Sequence, residues 1–399
     1  MEAIQRGKKI VKINVDSIFG FMPVIPQEIT IEILSRLPVK SICRFKSVCK
    51  FMYKLPSDPN FIKLHIERSP HSQIAMVNNL SNGSVSFYWV SKVVHNGIRM
   101  DLMIEKCLTF QNFEMGTPCD GLICMFAKND PRGYVVNPST HEFLRITNLI
   151  QKAKFGGFSK SVFCIGLDAT TNTYKLLKMM IRKRLRVFRK RRCFEGEVLN
   201  LGSTDEQWRS VEGTPYLIQS IGNIKSVDDD TSYSFRDNES VYINGTSNWL
   251  IDLTDDNQSG ILSFNFQDEK FRILSLPKLE GPRIKDWSYL KMCDGCICFL
   301  DMMESWILNI WLLKDYTSLK WMKEYTIDLN EIGVPVGIIR YCSVEVWGRK
   351  VTFQWEKMIY SYDLQRKTVE TLVLTMPFKL SNYVESLVSP FSLHQLWQT

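Results

Sequence analysis

The chain of 399 residues has no apolar run approaching the ~18 residues that a membrane-spanning helix needs. Its opening, MEAIQRGKKIVKINVDSIFG, lacks the continuous apolar core of a secretory signal. The eleven cysteines are odd in number and irregular in spacing, and many stand in apolar runs where a thiol serves as a small hydrophobe. These absences predict a reducing compartment, nucleus or cytoplasm, with no disulfide framework and no membrane partner. Histidine is scarce, at five (His65, His71, His95, His141, His394), and no HExxH, P-loop, GxSxG or GxGxxG pattern occurs. No catalytic residue and no cofactor is therefore nominated.

What is present is ordinary globular composition, 45% apolar and 23% charged, which excludes disordered and collagenous classes. The net charge of +8 would hint at an anionic partner for the whole protein. Its distribution says otherwise. Residues 182–192, RKRLRVFRKRR, hold eight basic residues (Arg182, Lys183, Arg184, Arg186, Arg189, Lys190, Arg191, Arg192) and no acidic one. Without them the charges balance. The run reads first as an exposed loop between strands at 176–181 and 197–201. The interleaved Leu185, Val187 and Phe188 favour a strand edge or hairpin over a free tail. It is otherwise a nuclear-import signal or a patch for an anionic partner. With Phe188 its one aromatic, stacking on nucleic acid is disfavoured.

Residues 25–67 have helical texture. Pro26 suits a first helical turn, Ile29, Ile33, Leu34 and Leu37 follow as one apolar face, and Leu37-Pro38 stops the helix. A second helix fits Ser41 to Lys50. Asp58-Pro59 opens a third through Phe61, Ile62 and Leu64 as an N-cap pair. Three short helices make too small a core to stand alone, so the unit is expected to lean on an outside surface.

From about residue 74 the chain turns to short alternating runs broken by Gly, Asn, Asp and Ser, the pattern of β-hairpins. CDGLIC at 119–124 recurs as CDGCIC at 293–298, with related starts at Asn244-Gly245 and Trp347-Gly348. The later starts lie about 50 residues apart. A second element is a polar turn opened by Asn137, Asp168, Gly202, Asn265, Asp315 or Asp363, usually with an aromatic six residues on. A four-stranded blade cannot bury both faces alone, whereas a ring of blades can, so the repeats predict an irregular kelch-like β-propeller, with a large β-sandwich as the alternative. Cys293-Asp-Gly-Cys296 has the letters of a metal or redox pair. It lacks a second pair, and Leu122 stands in the equivalent place, so it reads as the repeat's turn and no metal is expected. Asp228-Asp-Asp230 and Asp255-Asp256 have no EF-hand spacing and read as solvated loops.

The segment IPQEITIEILSRLPVKSICRFKSVCKFMYKLPSDPNFIKLH (25–65) resembles a plant F-box. The match lies in the apolar-Pro opening, the Ile-Leu pair, Leu-Pro-Val-Lys-Ser, Arg-Phe-Lys, Val-Cys-Lys and Asp-Pro-Asn-Phe. The remainder resembles the F-box-associated domain of plant proteins of the S-locus F-box kind. Its blocks stand in order: CDGLIC, VVNPSTHEFLRI, GLDATTNTYKLLKM, VYINGTSNWL, ILSFNFQDEKFRILSLP, IWLLKDYTSLKWMKEYTIDL and YVESLVSP. The chain departs from the F-box pattern at Met52, where Trp is usual, and at Ile25, where Leu is usual. The resemblance implies an extension (1–24), an F-box module (25–67), a β domain (74–390) and a tail (391–399). It also implies a non-catalytic substrate receptor of an SCF-type (Skp–cullin–F-box) ubiquitin ligase. The helices would dock on a Skp-family adaptor, and through it on a cullin and a RING subunit, while the β domain holds an unidentified target protein. Candidate adaptor contacts are Pro26, Ile29, Ile33, Leu34, Leu37, Pro38, Val39, Phe45 and Val48, some of which must instead pack the three helices together. The rival reading is a nucleic-acid or acidic-partner binding protein using 182–192.

The two readings separate in one experiment. Deletion of 182–192 is expected to leave adaptor co-purification intact and to alter localisation or recognition of an acidic target.

Overall fold

The computed structural model describes residues 25–391 except 80–82, 92–98, 109–112, 128–132, 147–159, 187–188, 203–206, 213–217, 222–239, 254–258, 280, 282, 335–341, 348, 356–357 and 374–377; at 180–194 only the backbone is described. The extension 1–24, all of the tail but Phe391, and the acidic runs 228–230 and 255–256 lie outside the described residues.

The helical part is α1 (Gln27–Leu34), α2 (Val39–Phe45), α3 (Lys50–Lys54), a 3-10 turn (Leu55–Ser57) and α4 (Pro59–Arg68). The expected second helix is thus two. It begins at Val39 behind Pro38 and ends at Phe45, and Cys49, in extended conformation (φ −158°, ψ 169°), separates it from α3. Asp58 caps α4 as its sequence predicts, its carboxylate accepting the Phe61 N–H at 2.9 Å.

The strands build six sheets, and the chain is a six-bladed β-propeller. β1 (His71–Asn79), β2 (Ser84–Ser91) and β3 (Arg99–Cys107) open blade 1. Blade 2 is β4 (Phe113–Met115), β5 (Ile123–Ala127), β6 (Gly133–Asn137) and β7 (Glu142–Ile146). Blade 3 is β8 (Lys160–Asp168), β9 (Thr173–Arg186), β10 (Arg189–Asn200) and β11 (Arg209–Ser210). Blade 4 divides its first strand into β12 (Ile218–Ile221) and β13 (Val241–Ile243), both paired with β14 (Thr246–Leu253), before β15 (Ser259–Asn265) and β16 (Lys270–Ser275). Blade 5 is β17 (Arg283–Cys293), β18 (Cys296–Met303), β19 (Ile307–Asp315) and β20 (Lys320–Asp328). Blade 6 is β21 (Ser343–Trp347), β22 (Lys350–Trp355), β23 (Met358–Asp363) and β24 (Thr368–Val373). The last strand, β25 (Lys379–Val384), returns to pair with β1 from His71↔Val384 to Met76↔Lys379 and completes blade 1.

Turn chemistry explains the repeats. CDGLIC and CDGCIC join the first and second strands of blades 2 and 5. Their Asp-Gly pairs have positive φ at both residues (Asp120 48°, Gly121 78°; Asp294 48°, Gly295 72°), the signature of the two-residue hairpin turn that twists with its strands. Asn244-Gly245 does the same in blade 4. The polar turns at 137, 202, 265, 315 and 363 join third and fourth strands, whereas the one at 168 joins the first and second strands of blade 3. Two different corners therefore share one sequence form, so the openings at 137, 168 and 202 stand closer together than successive blades do. At five of these corners the opening Asn or Asp accepts the N–H two residues on: Asn137 from Ser139, Asp168 from Thr170, Asn265 from Gln267, Asp315 from Thr317 and Asp363 from Gln365, at 2.8 to 3.0 Å.

Each blade's apolar faces are closed by its neighbours. Phe264 and Phe266 of blade 4 pack with Val162, Leu177 and Val198 of blade 3, and Leu300 and Ile310 of blade 5 with Val344 and Phe353 of blade 6. The same seam between blades 3 and 4 carries a buried ion cluster. Lys175 donates to Asp168 and Glu269, both at 2.8 Å, and to the Phe266 carbonyl at 2.9 Å. Burial would raise the Asp168 carboxyl, but the hydrogen bonds from Lys175, Thr170 and Thr171 outweigh it and hold the group well below the ordinary range. The basic run is not a loop. Residues 182–186 and 189–192 continue β9 and β10 as paired strand, each satisfying the other's backbone, the hairpin that the interleaved Leu185 favours.

Gly166 sets the closeness of blades 3 and 4, since a Cβ there would lie 2.1 Å from the Phe266 ring. Gly166→Ala is expected to cost about 1–3 kcal/mol of overpacking, read as an earlier urea midpoint. An unchanged midpoint would show that the seam is slack.

Candidate functional site

The helical module has an inside and an outside that differ in origin. Its core is Leu34, Val39, Ile42, Leu55 and Phe61, and the sixth buried member is Leu387 from the far end of the chain. Ile31, Leu37, Cys43, Phe51, Met52 and Ile62 pack partly buried around it. Met52, in the place where the family pattern carries Trp, packs partly buried against that core. Around that core, His65 is buried and donates from Nε2 to the Leu37 carbonyl at 2.9 Å. Burial holds its pKa below the usual imidazole value, against the opposing pull of the same carbonyl, so at neutral pH it is a structural imidazole. Arg68 pairs with Glu32 at 2.7 Å and donates to Ser35, fastening α4 to α1.

The outside is apolar as well. Ile29 and Ile33 are each 49% exposed, Phe45 36% and Val48 62%, joined by Ile25 at 56% and Tyr53 at 65%. Pro26 and Pro38 are exposed, and Leu37 is half-buried. Of the nine candidate contacts, then, Pro26, Ile29, Ile33, Pro38, Phe45 and Val48 are presented outward. Leu34 and Val39 are enclosed in the module's own core, which corrects their assignment to a docking face. The reason is helix geometry. Ile29 and Ile33, four apart, share one stripe, while Leu34 stands about 100° round from Ile33 and joins Ile31 on the opposite stripe. Ile25 and Tyr53 are exposed apolar side chains outside the nine candidates. Ile25 lies inside the recognised motif as a departure from its pattern, and Tyr53 carries no local sign of exposure because α3 is too short to show a period.

The module is seated on the propeller by the segment after β25. Val388 packs among Cys119, Leu122 and Leu144 of blade 2 and Leu199 and Leu201 of blade 3, joined by Ile62 and Ile66 of α4. Glu385, whose carboxyl burial pushes upward, accepts the Val39 N–H at 3.3 Å. Ser386 donates to the Asp120 carbonyl. Gly121 is required beside it, since a Cβ would stand 2.4 Å from the Ser386 hydroxyl oxygen and 2.9 Å from the Val384 carbonyl. Asn137, fully buried, donates to the Ser386 carbonyl at 3.0 Å and the Val388 carbonyl at 2.7 Å while accepting from Ser139 and Tyr383. Its place as a repeat anchor was legible. Its second task was not, because the carbonyls it binds lie some 250 residues away.

Antiparallel alternation puts first-to-second and third-to-fourth turns at one end of the ring and the other connections at the opposite end. The module and its seat occupy the first end: β1 begins where β25 finishes, and the partners Asp120 and Asn137 belong to such turns. The Arg186 end of β9 and the Arg189 end of β10, second and third strands of their blade, lie at the other end. Near the axis Lys291 of β17 and Glu345 of β21 form a buried pair at 2.8 Å, and Lys379 donates to the Met115 carbonyl at 3.1 Å. These contacts link first strands of different blades and are structural. Cys293 and Cys296 sit opposite each other in their tight hairpin, and burial pushes the Cys293 thiol up to about 11, far from a reactive thiolate. Among the described residues no group of three or more His, Cys, Asp or Glu could hold a metal ion, and no helix is long and apolar enough to cross a membrane.

A helical module with an apolar outer face, fixed to one end of a six-bladed propeller, is the build of an F-box protein with an associated propeller. The family models agree: residues 22–64 match the F-box domain and 90–380 match the F-box associated beta propeller domain, so the chain belongs to that family. Among curated relatives, Arabidopsis thaliana F-box protein At5g49610 is 26% identical, over 86% of this chain and 89% of that protein. Arabidopsis F-box protein CPR1 is 22% identical over 88% and 84%. Among solved structures, a lectin of Aleuria aurantia superposes with a TM-score of 0.41 at 10% identity, over 77% of this chain and 96% of that one, too slight a likeness to carry an argument.

Asn137→Ala is expected to orphan two buried carbonyls at about 1–3 kcal/mol each. The seat should loosen before the ring does, read as faster amide exchange in 385–391 and α4 than in blades 4 to 6.

Proposed function

We propose that this chain is the substrate-receptor subunit of an SCF-type ubiquitin ligase, at work in the nucleus or cytoplasm. The helical face docks on a Skp-family adaptor and through it joins a cullin and a RING subunit, while the propeller holds the target. The observation that carries this is the apolar outer stripe. Ile29, Ile33, Phe45 and Val48 are exposed on a module whose core is already complete without them. Exposed apolar side chains in such number, with no internal task, mark a place for a partner. Burying it in a complex is worth about 25 cal/mol per Å² of apolar area, less the cost of association.

In this reading the chain makes no bond itself. It supplies proximity, converting ubiquitin transfer from a bimolecular encounter into one between tethered groups at an effective concentration in the millimolar range or so. Tethering works only when geometry permits simultaneous engagement, and the seat of Leu387, Val388 and Asn137 supplies the stiffness. The adaptor face and the propeller are held by two cores that the neighbouring residues Leu387 and Val388 tie together, instead of by a linker.

Ile29→Asp with Ile33→Asp in the full chain is expected to abolish co-purification with the adaptor while leaving the melting temperature nearly unchanged, since both side chains already face water. Leu34→Asp should instead unfold the module, a charge in a closed core costing several kcal/mol. Adaptor binding that survives the outer pair of substitutions defeats this assignment.

A further inference from the structure

The turn between α2 and α3 is the barest stretch of the helical module. Residues 44–50 are exposed without a break, and α3 beyond them buries no side chain fully. Cys49 is already extended. The core members nearest to it, Val39 and Ile42, lie earlier, in α2. Opening 44–50 therefore disturbs little that holds the module together.

Ser47 stands in this turn two residues after Phe45 and one before Val48, amid the apolar outer face. Its hydroxyl donates to the Arg44 carbonyl at 3.0 Å, a bond internal to the turn. Arg44, Lys46 and Lys50 flank it, and none of the three has an ion-pair partner among the described residues. No acidic residue occurs between Glu32 and Asp58. A serine so placed suits an active site lined with carboxylates, the charge pattern by which basophilic protein kinases choose substrates.

An Arg three residues ahead of a Ser or Thr, the spacing such kinases read, occurs four times in the chain, with acceptors at 47, 275, 343 and 352. The other three acceptors belong to propeller strands: Ser275 pairs with Gly260, Ser343 with Gln354 and Thr352 with Glu345. To enter a kinase cleft each of these must leave its sheet, which the pairing opposes. Ser47 alone of the four stands in a turn, outside helix and strand.

We propose that Ser47 is a phosphorylation site, and that its modification by a basophilic protein kinase closes the docking face to the adaptor. The Ser47 hydroxyl oxygen attacks the γ-phosphorus of ATP. The new oxygen–phosphorus bond forms, the bond to the bridging oxygen of ADP breaks, and the hydroxyl proton passes to the kinase's base. The product sets nearly two negative charges and three acceptor oxygens beside Phe45 and Val48. In the free chain that group stays in water and folding is spared. Buried against an apolar partner surface it loses its water and gains nothing in return. This names a regulation of the proposed docking face and rests on that reading.

The test uses the full chain, Mg-ATP and the catalytic subunit of cyclic-AMP-dependent protein kinase as the basophilic probe. Mass spectrometry should find phosphate on Ser47, and Arg44→Gln should slow its transfer roughly tenfold or more. The phosphorylated chain should bind the adaptor roughly tenfold or more weakly than its untreated half, and melt at nearly the same temperature. In Ser47→Ala the treatment should change neither property. A Ser47 that stays unmodified overturns the proposal, and so does a phosphorylated chain that binds adaptor undiminished. A collapsed melting transition makes the phosphate a folding defect and overturns it too, as does loss of binding in treated Ser47→Ala, which assigns the effect to another acceptor. Equal transfer to Arg44→Gln overturns recognition through the basic residues. Failure of the untreated chain to bind adaptor counts instead against the receptor assignment.

Discussion

The structure depends on the closure of a ring by a strand from the end of the chain. An open array of blades leaves its terminal sheets with one bare apolar face each and a row of unpaired backbone groups. Pairing of Lys379–Val384 with His71–Asn79 removes both at once. Blade 1 is built from both ends of the propeller, and Tyr383 of the closing strand packs with Ile74 and Phe87 of blade 1 and with Met125 and Val136 of blade 2. From this closure the remaining geometry follows. The helices enter two residues before β1, and the segment 385–391 leaves β25 at the same corner, so module and seat meet there.

The seat is where the two parts become one. Leu387 completes the helical core and Val388 the core between blades 2 and 3, so two neighbouring residues serve two hydrophobic clusters. Polar groups fix their placement. Asn137 spends its side-chain amide on the backbone of this segment, and Ser386 closes against Gly121. Burial of Asn137 is tolerated because every one of those hydrogen bonds is specific to the docked position.

Much of this was legible in the sequence because local chemistry dictated it. Asp-Gly and Asn-Gly can hardly do anything but turn, and an Asn or Asp opening a polar tetrad caps its own corner, so the hairpins could be read one by one. The period looked irregular because Asp168 opens a first-to-second corner in the same letters that elsewhere mark third-to-fourth corners. What resisted was decided at a distance. The inward stripe of α1 is completed by Leu387, and nothing within 25–67 announces that sixth member. The basic run reads first as a loop because charge is the usual mark of one, although its interleaved apolar residues already favour a hairpin. Continued strand pairing there draws on backbone hydrogen bonds, which leave no trace in composition.

Leu387 also bears on how the protein comes into being. A nascent chain emerges helices first, yet the core of those helices lacks one of its six buried members until Leu387 is made, and blade 1 lacks a strand until β25 is made. A product truncated before β25 therefore carries neither a finished helical core nor a sealed ring. Completion of the helical module and closure of the propeller are in this way one event of synthesis.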